Sequence, residues 1–303
     1  MSIQLPFKMD EFLKLADGKM ALARNLLPDT KMEHVGFINF KADGTYSGDL
    51  EGTFRTTEDG VVVLNDKWNK PVYCFRGAET RNGSTFMVGE PYQEAHFSGF
   101  VRCVLYKYLP LTDFQVCIST HKDYMAETMS RVIRSLVRAG FPKDRVVVVV
   151  GGNDKNDVTV ADGCKTILTT ENYDGLTALS ALPKSDFNGY WLLLHDTCEV
   201  MDDFKERMAK VNVGLNFDHI DVFGDIGLYW SPFLHRITEM GIFKGQVSLN
   251  NLRQHYGLWT QIGSSRHVAT KDIYGTGTQR DVIYLDDIGV KKYRRVKGAA
   301  AKP

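Results

Sequence analysis

Five consecutive valines at residues 146–150 constrain the fold more than any other segment of this chain. β-Branched side chains favour strands, and a strand that is apolar at every position leaves no face for water. Such a strand belongs inside a parallel sheet that is covered on both faces. Gly151 and Gly152 follow the valines, so the sequence predicts a buried strand that stops abruptly at a turn.

The residues before the valines predict a strand at 114–120 and a helix at 123–139. The helix is indicated by apolar residues that recur on one face with a period of 3.6, namely Met125, Met129, Val132, Ile133, Leu136 and Val137. Strand, helix and strand in close succession predict a right-handed βαβ unit. A further apolar strand at 190–194 and a helix at 202–210 extend the pattern. We therefore expect an α/β fold for residues 111–303.

The first 110 residues have a different pattern. An apolar face across residues 8–27 predicts a helix. Between residues 34 and 105, short apolar runs alternate with Asp-Gly and Asn-Gly pairs at 43–44, 59–60 and 82–83. Such pairs supply the positive φ angles of tight hairpins. We expect a domain at residues 1–110 made of one helix and an antiparallel meander of roughly five to seven strands.

Charge and composition exclude several classes of protein. Lys plus Arg and Asp plus Glu both number 37, 43% of residues are hydrophobic, and 24% are charged. This balance excludes a disordered chain and a broadly basic nucleic-acid binder. No apolar run reaches the length of a transmembrane helix, and no secretory signal is visible. With five widely spaced cysteines and no Cys-x-x-Cys pair, the sequence predicts a cytoplasmic protein.

Polar residues follow three predicted strands at their carboxyl ends. Thr120 and His121 follow the first strand, Gly152 and Asp154 follow the valines, and residues 195–199 follow the strand at 190–194. In open α/β sheets, ligands bind outside the carboxyl ends of the strands. The simpler alternative for each segment is a polar turn, and residues 195–199 would also serve to cap the next helix. Three such segments at one sheet edge favour a binding site.

Two stretches carry a resemblance to a known family. VCISTHKDYMAETMSRVIRSLVRAGFPKDRVVVVVGGND is similar to the opening strand, helix and second strand of GT-A nucleotide-sugar glycosyltransferases of the family 2 type, and WLLLHDTCEVMDDF resembles their Asp-x-Asp strand. The resemblance covers roughly residues 114–240. It implies an α/β fold with a GT-A-like, mostly parallel sheet and flanking helices, preceded by the small β-rich domain. It also implies an enzyme that moves a sugar from a nucleotide-diphosphate sugar to a glycan or other hydroxyl acceptor.

The resemblance further implies roles for individual residues. Thr120, His121, Gly152 and Asp154 would border the nucleotide. A divalent cation, Mg²⁺ or Mn²⁺, would be held against the diphosphate by a set that follows the strand at 190–194, namely Asp196, His195 and Glu199. Asp225 would be the carboxylate base near the acceptor hydroxyl, since an inverting transferase needs one.

Several alternatives stay open on the sequence alone. Asp225 would equally serve as a turn acid between two strands, and Asp218 and Asp221 are weaker candidates for the base. His255 and His267 are candidates for a late metal ligand, and residues 275–278 for a loop over the diphosphate. The whole chain would also fit a non-catalytic protein that binds carbohydrate or nucleotide sugar, or an enzyme resembling a nucleotidyltransferase.

Overall fold

The computed structural model describes residues 7–26, 31–92, 101–184, 186–244, 251–252, 256–263, 265–270 and 280–295. It contains two compact units. Unit 1 comprises Met1–Pro110, Asn212–Phe217 and Arg253–Gln261, and unit 2 comprises Leu111–Val211, Asp218–Leu252 and Ile262–Pro303. Among the described residues, no helix combines the length and the apolar character needed to cross a membrane.

Twenty strands and five α-helices make up the described structure. The helices are α1 (Met9–Leu15), α2 (Met125–Arg138), α3 (Thr177–Ala181), α4 (Phe204–Met208) and α5 (Ser231–Glu239). The strands are β1 (Lys19–Leu26), β2 (Lys31–Phe40), β3 (Thr45–Gly48), β4 (Gly52–Thr56), β5 (Val62–Asp66), β6 (Pro71–Arg81), β7 (Ser84–Pro91), β8 (Val101–Lys107), β9 (Phe114–His121), β10 (Val146–Gly151), β11 (Asp157–Ala161), β12 (Cys164–Leu168), β13 (Tyr190–His195), β14 (Cys198–Val200), β15 (His219–Phe223), β16 (Ile226–Trp230), β17 (Trp259–Gln261), β18 (Ser265–Thr270), β19 (Arg280–Leu285) and β20 (Val290–Arg295).

Unit 1 is built on a closed antiparallel β-barrel of eight strands. Each of β1 to β7 pairs with the next strand along the chain, and β8 returns to pair with β1. The hairpins predicted between residues 34 and 105 are confirmed by these pairings. The barrel also accepts β17, which lies parallel to β2. Closure leaves the barrel strands no unpaired edge to protect.

The helix predicted over residues 8–27 is wrong in its second half. The helix α1 ends at Leu15, and Gly18 adopts a φ of +87° before β1 begins at Lys19. The residues of β1 pair with β2 on one side and β8 on the other. Met20 and Leu22 therefore join the barrel core. Tertiary pairing overrides the helical pattern here, because β1 closes the barrel.

Unit 2 contains a mixed seven-stranded sheet in the order β15-β16-β13-β9-β10-β12-β11. The four strands β13, β9, β10 and β12 are parallel, whereas β11, β15 and β16 are antiparallel to their neighbours. The predicted β9–α2–β10 unit is confirmed, and the five valines of β10 are buried. A second sheet, in the order β14-β20-β19-β18, is antiparallel.

The predicted fold class is wrong for the protein. Strands make up 47% of the structure, most strand pairs are antiparallel, and the first eight strands close a barrel. The GT-A-like fold, with a mostly parallel sheet flanked by helices, is not what the chain adopts. The error has a physical cause: the βαβ pattern of residues 114–151 is local, and its periodicity carries no information about how the remaining strands pair.

Candidate functional site

A polar pocket of about 360 Å³ lies at the carboxyl ends of β9 and β13 in unit 2. The two strands run parallel with His195 opposite Ser119, so both end at the same sheet edge. Thr120 and His121 line the pocket from β9, and His195 and Asp196 line it from the end of β13. The remaining wall comes from the first turns after β9 and from the segment at residues 172–177.

Two threonine hydroxyls hold Asp196 in the pocket. Thr120 Oγ1 donates to Asp196 Oδ2 at 2.7 Å, and Thr128 Oγ1 in α2 donates to the same oxygen at 2.9 Å. The Asp196 backbone N–H donates to the Ser119 carbonyl at 3.1 Å. Among the described residues no donor is bonded to Oδ1. Asp196 is thus a fixed acceptor with one oxygen available to a ligand.

His195 is a neutral imidazole at the base of the pocket. Only 18% of its side chain is exposed. Burial, and to a smaller extent the nearby Lys292 ammonium, lower the pKa of His195 to about 3. Within the part of the chain that is described, its buried Nε2 has no hydrogen-bond partner. A buried ring nitrogen without a partner is costly, so a ligand or the nearby Asp225 carboxylate would satisfy it.

Asp225 lies beside His195, and Gly175 lies close to both side chains. Asp225 Oδ2 lies 3.7 Å from His195 Nε2, and 37% of the Asp225 side chain is exposed. A Cβ at Gly175 would come within 2.3 Å of Asp225 Oδ2 and 2.5 Å of His195 Cε1. The Tyr229 hydroxyl donates to the Asp225 carbonyl at 3.1 Å and fixes the turn between β15 and β16. Gly175, which lines the pocket, therefore leaves room for both side chains, although Asp225 is not among the described residues that line the pocket.

Only some of the residues predicted to border the nucleotide lie at the pocket. His121 lines the pocket, and a Cβ at Gly152 would come within 2.2 Å of His121 Nε2, so Gly152 leaves room for that ring. The Asp154 side chain is 97% exposed and pairs with Lys122 at 3.2 Å. Asp154 is not among the described residues that line the pocket.

Glu199 does not join Asp196. It lies on β14, where it accepts hydrogen bonds from Tyr293 Oη at 2.6 Å and from Arg138 Nη2 at 3.2 Å. Burial alone would raise the pKa of Glu199, but these two hydrogen bonds hold it below its ordinary value. Its partners therefore belong to α2 and to the second sheet.

The predicted metal-binding site is wrong. Among the described residues, no group of three or more His, Cys, Asp and Glu side chains is arranged to hold a metal ion. Glu199, Asp196 and His195 follow one another closely in sequence, but the turn after β13 directs Glu199 into a different sheet. Binding of a divalent cation together with the diphosphate of a donor stays a prediction.

The remaining candidates lie elsewhere. Asp218 is fully buried and paired with Arg236 at 3.1 Å, and Asp221 is buried as well. His255 and residues 275–278 lie outside the described residues, as does the side chain of His267.

Sequence reasoning missed Thr128 and the role of Gly175. Thr128 lies in the first turn of α2, directly after the pocket edge of β9. Its hydroxyl oxygen lies 2.9 Å from the Tyr124 carbonyl as well as 2.9 Å from Asp196 Oδ2, so its one proton is shared between these two acceptors. A hydroxyl residue in the first turn of a helix that follows a strand end is a signal that could have identified it. Nothing in the sequence indicated that Gly175 would contact His195 and Asp225.

No protein-family model matches the chain, and a comparison with curated proteins finds no match either. The predicted membership of the GT-A glycosyltransferases is wrong, because the fold differs and no family match supports it.

Proposed function

We propose that the protein is an enzyme whose active site is the pocket between β9 and β13, and that it transfers a glycosyl group from a nucleoside diphosphate sugar to an acceptor hydroxyl. The observation that carries the proposal is the combination of Asp196, fixed by two threonines, with His195 in the pocket wall and Asp225 Oδ2 3.7 Å from His195 Nε2.

The size and polarity of the pocket support a hydroxyl-rich ligand. Its volume of about 360 Å³ falls within the range of small-molecule sites. Hydroxyl, amide, imidazole and carboxylate groups line it, from residues such as Thr120, Asn172, His195 and Asp196. Asp196 Oδ1 would accept a hydrogen bond from a ligand hydroxyl. Because hydrogen bonds already fix Oδ2, little side-chain entropy is lost when the carboxylate binds the ligand hydroxyl.

The chemistry requires one proton acceptor. As the acceptor oxygen forms its bond to the anomeric carbon, the bond from that carbon to the diphosphate oxygen breaks, and the diphosphate leaves with the electron pair. The proton of the acceptor hydroxyl must be removed, and the partly exposed Asp225 carboxylate is the group proposed to accept it. His195 is a weak base, since its pKa is about 3. Its proposed role is to orient Asp225 and the substrate by hydrogen bonding.

Donor hydrolysis and donor binding test the proposal separately. Wild-type protein is assayed with a panel of nucleoside diphosphate sugars, and binding of the corresponding nucleoside diphosphates is followed by thermal shift with and without Mn²⁺. A ligand at about 100 times its dissociation constant stabilises the protein by about 2.7 kcal/mol. We expect Asp225→Asn to abolish hydrolysis while nucleotide binding persists, and Asp196→Asn to weaken binding.

The exposed Asp154 provides the matched control, because Asp154→Asn makes the same chemical change outside the pocket. Hydrolysis that survives Asp225→Asn but falls with Asp154→Asn would contradict the assignment. Binding without turnover of any donor would favour a non-catalytic binding protein.

A cytoplasmic location remains part of the proposal. All five cysteines are unpaired and buried, which supports a reducing compartment.

A further inference from the structure

The strand β11 ends the seven-stranded sheet of unit 2 and is the feature that the proposed function leaves unused. It pairs with β12 on one side, and among the described residues no strand pairs with its other side. The register with β12 is regular over all five residue pairs, without a bulge. Regular edge strands are templates for pairing with another chain, and proteins usually blunt them with bulges, proline or lysine. The strand β11 has none of these.

Two valines project from this edge into solvent. The exposed fractions are 60% for Val158 and 72% for Val160, and the two side chains share one face because they are two residues apart. Valine favours strands and is costly to leave exposed on a regular one. Thr159, between them, is exposed on the opposite face.

The backbone groups on the open side are identified by one hydrogen bond. The Val158 N–H donates to the Asp157 Oδ1 at 2.8 Å rather than to β12. It therefore faces the open side of the strand, and by the alternation of an extended chain the Val160 N–H faces the same way. Thr159 then directs its N–H towards β12.

We propose that β11 pairs antiparallel with β11 of a second copy of this chain, about an axis at Thr159. In this register Val158 of one copy lies opposite Val160 of the other, so each valine pair exchanges two backbone hydrogen bonds once the Val158 N–H leaves Asp157 Oδ1. The four valines share one face, and the two sheets become one continuous sheet. The arrangement is self-complementary, as a twofold dimer interface must be.

Charges at the two ends of the strand support the same partner. Lys155 precedes the strand with 79% of its side chain exposed, and Asp162 follows it at the hairpin turn. Lys155 pairs with Asp157 of its own copy at 3.6 Å, and antiparallel pairing brings it beside Asp162 of the second copy, so at each end one ammonium lies between two carboxylates. A parallel arrangement would bring like charges together instead.

The mass of the protein in solution tests the dimer. The chain has a mass of 34.2 kDa, and light scattering across a range of concentrations is expected to approach twice that value. Strands of five residues bury less area than a standard interface, so the dimer should dissociate on dilution. Val160→Lys should weaken the dimer at least about tenfold, since an edge lysine opposes pairing. Met240→Lys, at a methionine that is 54% exposed at the end of α5 and far from β11 in the sheet order, is the matched control and should leave the mass unchanged.

A cysteine crosslink tests the register. Thr159 lies opposite itself in a pair without direct hydrogen bonds, where Cα atoms are about 4.5 Å apart, a distance that permits a disulfide. With oxidised glutathione as the oxidant, two Thr159→Cys thiols form a disulfide while glutathione is reduced, and a band of twice the chain mass appears without reductant. Met240→Cys should give no such band, and the five native cysteines are buried. A chain that stays monomeric at every concentration, or a dimer that Thr159→Cys does not crosslink, would overturn the proposal.

Discussion

Thr120 Oγ1 lies 2.7 Å from Asp196 Oδ2, and this hydrogen bond joins the ends of two neighbouring parallel strands. Thr120 lies near the end of β9 and Asp196 directly follows β13, and the buried side chains of both strands fix these strand ends in place. The hydrogen bond therefore costs little additional ordering, and it presents Asp196 to the pocket in one orientation.

Replacing Thr120 by valine tests the hydrogen bond from Thr120 to Asp196. Thr120→Val keeps the shape of the side chain but removes the donor, and a hydrogen bond to a charged group is worth about 1.5–3 kcal/mol. We expect a loss of this size in the free energy of unfolding, measured by chemical denaturation, together with weaker nucleoside diphosphate binding. Thr120→Ser keeps the hydroxyl and should retain most of both. Equal losses in the two variants would show that the methyl group, not the hydrogen bond, matters.

The buried His195 predicts a specific loss of stability in acid. Its pKa is about 3 in the folded protein against 6.5 for an ordinary histidine. As the pH falls from 6.5 towards 3, the unfolded chain binds a proton that the folded protein does not. The free energy of unfolding therefore decreases, by at most about 1.4 kcal/mol per pH unit from this residue.

The variant His195→Gln isolates this contribution. Glutamine does not titrate, so the wild type should lose stability relative to the variant across that pH interval. Chemical denaturation of both proteins at a series of pH values measures the difference. His235→Gln, at an exposed imidazole on α5, is the control and should follow the wild type. A constant difference between wild type and His195→Gln would contradict the low pKa of His195.

Local patterns predicted local structure well. The βαβ unit was predictable because the 3.6-residue period of α2 and the uniform valines of β10 are each contained in one short segment. Barrel closure was not predictable, because it pairs Met20 with Lys107, far apart in the sequence. The residues of β1 are apolar at spacings that also fit a helix, so their strand conformation depends on partners that periodicity does not reveal.

The contacts in the candidate site likewise include some that the sequence could predict and some that it could not. Thr120 and Asp196 meet because both follow parallel strands, and the position of ligands at strand ends is a general property of such sheets. Glu199 lies away from the pocket because β14 joins another sheet. That placement depends on the pairing of β14 with β20, which is distant in the sequence. The contact of Gly175 with Asp225 joins two loops, and no spacing rule anticipates it.

Gly175 is expected to tolerate no side chain. A Cβ there would lie 2.3 Å from Asp225 Oδ2, so Gly175→Ala must displace Asp225, His195 or both. We expect donor hydrolysis to fall sharply, with a stability loss of about 1–3 kcal/mol from overpacking. A double-mutant cycle supplies the check: in an Asp225→Asn background, Gly175→Ala should add little further loss of activity, because the two changes act on the same group. Additive losses would mean that Gly175 acts independently of Asp225.

Replacing Phe12 tests how much the packing of α1 into the barrel core stabilises unit 1. Its ring is fully buried, with ring centroids 5.0 Å from Phe40 and 5.3 Å from Phe54, so α1 supplies a side chain to the core that the strands enclose. Phe12→Ala should lower the free energy of unfolding of unit 1 by about 3–5 kcal/mol, measured by chemical denaturation. Trp68, at a hairpin turn with 71% of its surface exposed, is the matched aromatic control, and Trp68→Ala should cost no more than about 0.5 kcal/mol. If the two substitutions cost the same, the barrel core is complete without α1, and the short helix before Gly18 is dispensable for folding.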